Sequence, residues 1–159
     1  MIRFVPLLAL VALAGCFPDK LDPTACKSVS FTTSVNGDTV TTSTGLKYVD
    51  GTIGAGPVVG WCQNISIHYE AYLSNGTQFD ESRSSGVPLV FAPGVGSLID
   101  GMEQGVIGMR GGSTRRLIIP PQLGFGSTDR KDENGTVIVP ANSTVIFDVE
   151  IIQVQTPVP

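Results

Sequence analysis

The sequence predicts an α+β domain in which a curved antiparallel sheet of about five strands wraps around one short helix. Two segments, Ile65 to Leu73 and Thr144 to Val154, alternate apolar and polar residues as half-buried strands do. Between apolar segments, Asn75-Gly76 marks a tight hairpin turn, because both residues tolerate positive φ. Only the segment from Ile99 to Gly108 places apolar residues at helical spacing.

Shorter apolar segments complete the predicted sheet. Gly45 to Val49 forms the first organised strand, and the Gly and Pro residues between 51 and 60 form the turn after it. Phe79 opens a segment behind the hairpin turn, and Pro88 to Phe91 follows it. Ser113 to Ile119 is the strand predicted after the helix.

The predicted helix has recognisable ends. Ser97 with Asp100 three residues later has the spacing of a capping pattern, and Gly108 and Arg110 suit the end of a helix. The apolar residues on one side of this helix are Ile99, Met102 and Val106. That side must be covered, and the sheet is the element available to cover it.

The first fifteen residues have the layout of an export signal. Arg3 precedes an apolar run from Phe4 to Ala14, which is too short to span a bilayer because spanning takes ~20 residues. Leu13-Ala14-Gly15-Cys16 resembles the lipobox of bacterial lipoproteins, in which Cys16 would become the lipidated first residue. An ordinary secretory signal that contains a cysteine is the alternative. We expect an exported, membrane-anchored lipoprotein of the cell envelope, periplasmic or on the outer surface.

The predicted organisation is one domain on a tether. Residues 1–15 are the signal peptide, and 16–44 are the lipidated cysteine and a flexible spacer rich in Thr, Ser and Asp. Residues 45–155 form the folded domain, and 156–159 a short tail. The chain after Cys16 is long enough for one such domain and too short for two.

Composition excludes several classes of function. With 10 basic and 14 acidic residues, the chain is slightly acidic, so no nucleic-acid partner is predicted. Arg115-Arg116 is the one local basic feature, and a solvated surface position is expected for the pair. Neither a metal nor a cofactor is predicted, since the single His68 is joined by no second histidine and no CxxC pair.

Two cysteines remain beside Cys16. An exported protein meets an oxidising compartment, so a disulfide between Cys26 and Cys62 is permitted. Two free thiols are the alternative, because sequence spacing does not disclose geometry.

Six motifs follow one another in order between Gly45 and Val154. The segment from Ile67 to Ser82 has a V-H-Y-like strand, a turn and an F-D-S-S-like sequence, and Leu98 to Gly105 reads like V-I-x-G-W-E-E-G. The other four motifs are residues 112–120, 123–126, 138–144 and 145–150. In this order and spacing they resemble the FKBP-type peptidyl-prolyl cis-trans isomerases.

The resemblance implies the residues of a substrate pocket. Its catalytic residues would be Tyr69, Phe79, Asp80, Ile99, Met102 and Phe147. Its further substrate-binding residues would be Phe91, Leu98, Phe125 and Val139. The backbone N–H of Ile99 would receive a substrate carbonyl. Taken without the motifs, Phe147 and Tyr69 would be ordinary core residues and Asp80 a local cap beside a turn.

The chain departs from the family pattern in three places. Met102 stands where the family often has Trp, which keeps the floor of the pocket apolar but makes it looser. Phe125 stands where the family often has a Tyr hydroxyl, so one substrate hydrogen bond is lost. The loop between Gly126 and Ile138 is longer than in minimal members and carries charged residues from Asp129 to Glu133.

The resemblance implies a peptidyl-prolyl cis-trans isomerase that acts on Xaa-Pro bonds of exported or surface proteins. Its partners would be proline-containing polypeptides and, through the lipid anchor, a membrane, and the protein is expected to be a monomer. The alternative is an anchored proline-peptide-binding or chaperone module without turnover, which the changes at Met102 and Phe125 would allow.

Overall fold

Antiparallel strands dominate residues 37–155, the part of the chain that the computed structural model describes. One helix, α1 (Asp100–Val106), and a 3-10 turn (Pro121–Leu123) interrupt them. The strands are β1 (Val40–Thr41), β2 (Lys47–Asp50), β3 (Ile65–Leu73), β4 (Gln78–Glu81), β5 (Leu89–Phe91), β6 (Thr114–Ile119), β7 (Arg130–Lys131), β8 (Val137–Val139) and β9 (Val145–Val154).

Seven of these strands form one sheet in the order β1-β2-β6-β9-β3, with β4 and β5 both paired to β3. Every pairing is antiparallel, so the predicted antiparallel sheet with one short helix is confirmed. Strand β1 lies within the segment predicted to be spacer. Two residues are too few to show an alternating pattern, so alternation alone does not reveal this strand.

One face of the sheet carries the core. In β9 the alternation holds as predicted: Val145, Val149 and Ile151 are buried, while Ile152 on the other face is exposed. The same residues of β9 pair with both β3 and β6, so β9 lies at the centre of the sheet. One apolar face is therefore available to cover the helix.

Helix α1 is shorter than predicted at both ends. It begins after Ile99, whose backbone is extended (φ −61°, ψ 142°), and no described side chain makes a capping hydrogen bond there. The capping pattern predicted for Ser97 and Asp100 is therefore wrong. The helix ends at Val106, two residues before Gly108, which takes positive φ (78°).

Two glycines let α1 lie directly on β6. A methyl group at Gly105 would come within 2.5 Å of Leu117, and one at Gly101 would collide with Ile119. Seven residues are too few for a helix that is stable by itself, so the packing against β6 fixes its position. Glycine disfavours helix by about 1 kcal/mol relative to alanine, yet only glycine permits this approach.

Arg115 and Arg116 lie on opposite faces, and the predicted surface position is wrong for Arg115. Only 7% of Arg115 is exposed, and its guanidinium donates to Asp50 (Nε to Oδ1, 2.5 Å) and to the carbonyl of Gly105 (2.8 Å). This carbonyl belongs to the last turn of α1, where backbone acceptors lack helical partners. The same guanidinium lies 4.1 Å from the centre of the Tyr48 ring.

The segment between Gly126 and Ile138 contains a hairpin that the sequence pattern did not predict. Strands β7 and β8 pair with each other, and Asp132 closes the turn between them by accepting the N–H groups of Asn134 (2.9 Å) and Thr136 (2.8 Å). The hairpin projects from the domain beside the site described below.

Several predictions lie outside the described residues. These are the signal peptide 1–15, the lipidated Cys16, most of the spacer including Cys26, and the tail 156–159. Cys62 lies in an exposed turn with positive φ (62°). From residue 37 to residue 155 no helix is long and apolar enough to cross a membrane.

Candidate functional site

A cavity of about 350 Å³ opens to solvent between the core-facing side of the sheet, the start of α1 and the β7–β8 hairpin. We call it the cup. Its lining residues are Tyr69, Asp80, Leu89, Ser97, Leu98, Ile99, Met102, Phe125, Arg130 and Phe147. Strands β3, β4 and β9 supply one wall, and the loop into α1 supplies the other.

Aromatic rings form the apolar wall of the cup. The Phe79 ring packs edge-to-face against Phe147 (centroids 6.0 Å apart, 84°) and Phe125 (6.1 Å, 79°). Tyr69 lies 5.9 Å from Phe147. These separations lie in the favourable range for aromatic pairs, so the rings hold one another in place. Phe79 itself does not line the cup but contacts two rings that do.

The start of α1 provides the floor and a backbone donor. Met102, which is 2% exposed, forms the floor. The Ile99 carbonyl accepts the N–H groups of Met102 (2.9 Å) and Glu103 (3.2 Å). The Ile99 N–H, by contrast, makes no hydrogen bond to any residue from 37 to 155. Within the described part of the chain, a donor without an acceptor thus lies at a residue that lines the cup.

Glu103 holds the loop that leads to this donor. Its carboxylate accepts three backbone N–H groups, two at Oε2 from Gly94 (2.9 Å) and Gly96 (3.2 Å), and one at Oε1 from Leu98 (3.0 Å). Glu103 is 5% exposed, and these bonds offset the cost of burying its charge. Glu103 was not among the residues predicted for the site. The sequence feature that could have indicated it is an acidic residue on the helix that follows a glycine-rich loop.

The rim of the cup is polar. The Tyr69 hydroxyl donates to Asp80 Oδ2 (3.0 Å), and Asp80 Oδ1 accepts the N–H of Glu81 (2.9 Å). Burial, reinforced by the hydrogen bond to Asp80, raises the pKa of Tyr69 to about 12. The phenol therefore stays protonated, and remains a donor, at every physiological pH.

His68 lies on the opposite face of β3 from Tyr69. Its Nδ1 is 3.0 Å from the Ser82 hydroxyl, which also accepts the backbone N–H of Tyr69 (3.0 Å). His68 is not part of the cup. No group of three or more His, Cys, Asp or Glu residues that could hold a metal ion occurs between residues 37 and 155.

The structure brings together most of the residues that the family resemblance nominated. The nominated residues that line the cup are Tyr69, Asp80, Leu98, Ile99, Met102, Phe125 and Phe147. Phe91 and Val139 do not reach it. Phe91 is 6% exposed and Val139 has no exposed surface, so both belong to the hydrophobic core.

Three lining residues were absent from the predicted set. Leu89 lies two residues from Phe91 on the same face of β5, so alternation could not decide which of them reaches the cup. Ser97 lies in the loop before α1, and Arg130 lies in the hairpin that had no periodic pattern. A larger hollow of about 540 Å³ is lined largely by ion-paired side chains, and no aromatic ring is among its lining residues.

Comparison with known proteins agrees with this geometry. A family model described as FKBP-type peptidyl-prolyl cis-trans isomerase matches residues 57–152. FK506-binding protein 2 of Dictyostelium discoideum is 48% identical over 88 residues, which cover 55% of this chain and 62% of that protein. Peptidyl-prolyl cis-trans isomerase FKBP13, chloroplastic, of Arabidopsis thaliana is 39% identical over 114 residues, 68% of this chain and 55% of that protein.

A solved structure is also similar to this chain. The crystal structure of AtFKBP13 has a TM-score of 0.68 and 35% identity, and the match covers 74% of this chain and 99% of that one. The chain thus spans less than two thirds of the length of the two curated relatives, whereas it covers nearly all of the crystallised domain.

Glu103→Gln tests whether the carboxylate holds the loop. The amide keeps one acceptor oxygen, so at least one of the three N–H groups loses its partner. We expect the free energy of unfolding, measured in urea, to fall by about 1–3 kcal/mol. Amide hydrogen exchange at Gly94, Gly96 and Leu98 should become faster.

Glu133→Gln, in the exposed turn of the hairpin, is the matched control and should change the stability by less than about 0.5 kcal/mol. If Glu103→Gln were as stable as the wild type, with unchanged exchange at the three amides, the assigned role would be wrong.

Proposed function

The chain belongs to the FKBP-type peptidyl-prolyl cis-trans isomerase family, and we propose that it accelerates rotation about Xaa-Pro bonds in exported or surface proteins. The observation that carries the proposal is the cup, an open cavity of about 350 Å³ with aromatic walls and an apolar floor. Beside it lies a backbone N–H that has no acceptor among residues 37–155.

The reaction requires no nucleophile. Rotation about the prolyl peptide bond faces a barrier of ~18–20 kcal/mol, because twisting breaks the resonance of the amide. The twisted amide is less dipolar than the planar one, so it loses less when an apolar wall removes its water. The walls formed by Phe147 and Phe125 therefore bind the twisted state better than the planar state, which lowers the barrier.

The site also orients the peptide, in addition to removing water from the amide. The proline ring enters between the Met102 floor and the aromatic rings, where the flexible thioether adapts to its shape. The Ile99 N–H donates to the substrate carbonyl next to the bond that rotates, which fixes one side of the peptide while the other turns. Tyr69 and Asp80 remain at the rim as polar contacts.

Phe79→Ala tests the catalytic cup. Removal of this ring takes away the packing that holds Phe147 and Phe125, so we expect kcat/KM for an Xaa-Pro peptide to fall by at least about tenfold. Exchange NMR of a proline peptide measures the rate, with circular dichroism to confirm folding. Tyr72→Ala, which removes a half-buried aromatic from the other face of the same sheet, is the control and should stay within about twofold of the wild type.

The outcome also separates turnover from mere binding. A peptide that binds in the cup without any faster exchange between its cis and trans forms would mean a non-catalytic binding module. An unchanged rate in Phe79→Ala would refute the assignment of the cup.

We propose further that the mature protein is a monomer, held at a membrane of the cell envelope by a lipid on Cys16. The lipobox-like Leu13-Ala14-Gly15-Cys16 supports this. Each buried acyl methylene contributes about 0.8 kcal/mol, so two or three chains give stable attachment. The domain would then meet its substrates at the membrane surface.

Cys16→Ala tests the anchor. In a bacterial host fed radioactive palmitate, the full chain should carry label and sediment with the membranes, whereas Cys16→Ala should do neither. Cys26→Ser is the matched control and should behave as the wild type does. An unlabelled wild-type chain, or label that persists in Cys16→Ala, would contradict the lipid anchor.

A further inference from the structure

We propose that Arg130 makes the cup selective for peptides that carry an acidic residue next to the proline. This inference rests on the proposed isomerase function and names a substrate class for it. Three features of Arg130 carry it, namely its position, its unpaired charge and the room beside it.

The position of Arg130 is fixed by the base of the hairpin. Arg130 begins β7 and pairs with Val139, a residue without exposed surface that belongs to the core. Its guanidinium carbon lies 5.2 Å from the centre of the Phe125 ring, within the range of a cation–π contact. The charge therefore lies against a wall of the cup and not at the free tip of the hairpin.

The charge of Arg130 is available to a substrate. Arg83, Arg115 and Arg116 each form an ion pair with a carboxylate, whereas Arg130 forms none with any residue from 37 to 155. The one carboxylate among the residues that line the cup, Asp80, binds the Tyr69 hydroxyl and the Glu81 N–H and forms no ion pair with Arg130. Among its described lining residues, the cup thus presents one cation that forms no ion pair.

The cup has room for more than the proline ring. A volume of about 350 Å³ lies within the range of pockets that enclose drug-sized ligands, of ~300–1,000 Å³. When the ring lies on Met102, the neighbouring residue lies at the rim, one Cα step of about 3.8 Å away. A Glu or Asp side chain there can reach the guanidinium, whereas a Lys side chain would meet like charge.

Peptides that differ only beside the proline test the inference. Two series carry Glu, Gln or Lys immediately before or immediately after the proline, and exchange NMR at low salt gives kcat/KM for the whole protein. In at least one series the wild type should prefer Glu over Gln by about two- to fivefold, as expected of one partly exposed ion pair, with Lys slowest. Raising NaCl to about 0.5 M should reduce the preference.

Variants assign the preference to one side chain. Arg130→Gln should turn over the Glu and Gln peptides equally, and Arg130→Lys should restore part of the preference. Lys131→Gln, which removes the neighbouring exposed charge, should retain the wild-type ratio.

Failure of the isomerase proposal and failure of the Arg130 assignment give different results. If no peptide were turned over, the proposed isomerase function would fall. If all peptides were turned over but the Glu to Gln ratio were one in both series, or survived in Arg130→Gln, only the assignment of Arg130 would be overturned.

Discussion

The buried carboxylate of Glu103 is the interaction on which the geometry of the cup depends. It gathers the N–H groups of Gly94, Gly96 and Leu98 onto α1, a helix too short to be stable alone. A buried charge is tolerated only when hydrogen bonds replace its water. Because the loop and helix are joined in this way, the Ile99 donor and the Met102 floor are held in one arrangement against the sheet.

Two kinds of residue complete that arrangement. Gly101 and Gly105 bring α1 close to β6, and Arg115 ties the last turn of the helix to Asp50 of β2. The aromatic wall comes from three separate strands of the sheet and from Phe125 in the turn after the 3-10 segment. Floor and wall therefore approach each other from different elements of the fold. The proposed chemistry needs two apolar surfaces at a fixed distance and one oriented backbone donor. The helix packed on the sheet supplies both, and no titrating group is required.

The elements with a periodic apolar pattern and the residues that lie in family motifs could be predicted from the sequence. The alternation in β3 and β9 and the single short helix were predictable from the sequence alone. The family motifs nominated Tyr69 and Phe147 for the site. Neighbouring residues of a strand lie on opposite faces, but this rule does not tell which of Arg115 and Arg116 is buried. Phe91 and Val139 were nominated by position in a motif, which carries no information on exposure. Glu103 and Arg130 contact residues in loops, namely the segment 94–98 and Phe125. Loops show neither alternation nor helical spacing, so no periodic pattern could reveal these contacts.

The most direct test of the central claim follows the methyl groups of methionine. Met102 forms the floor of the cup, and Met109 is equally buried but lies outside it, so one spectrum of ¹³C-methyl-labelled protein contains both probe and reference. Titration with a proline peptide should shift the Met102 signal, assigned by its loss in Met102→Leu, and leave Met109 unmoved. A Met102 signal that stays fixed while the same peptide is isomerised would show that the reaction takes place elsewhere.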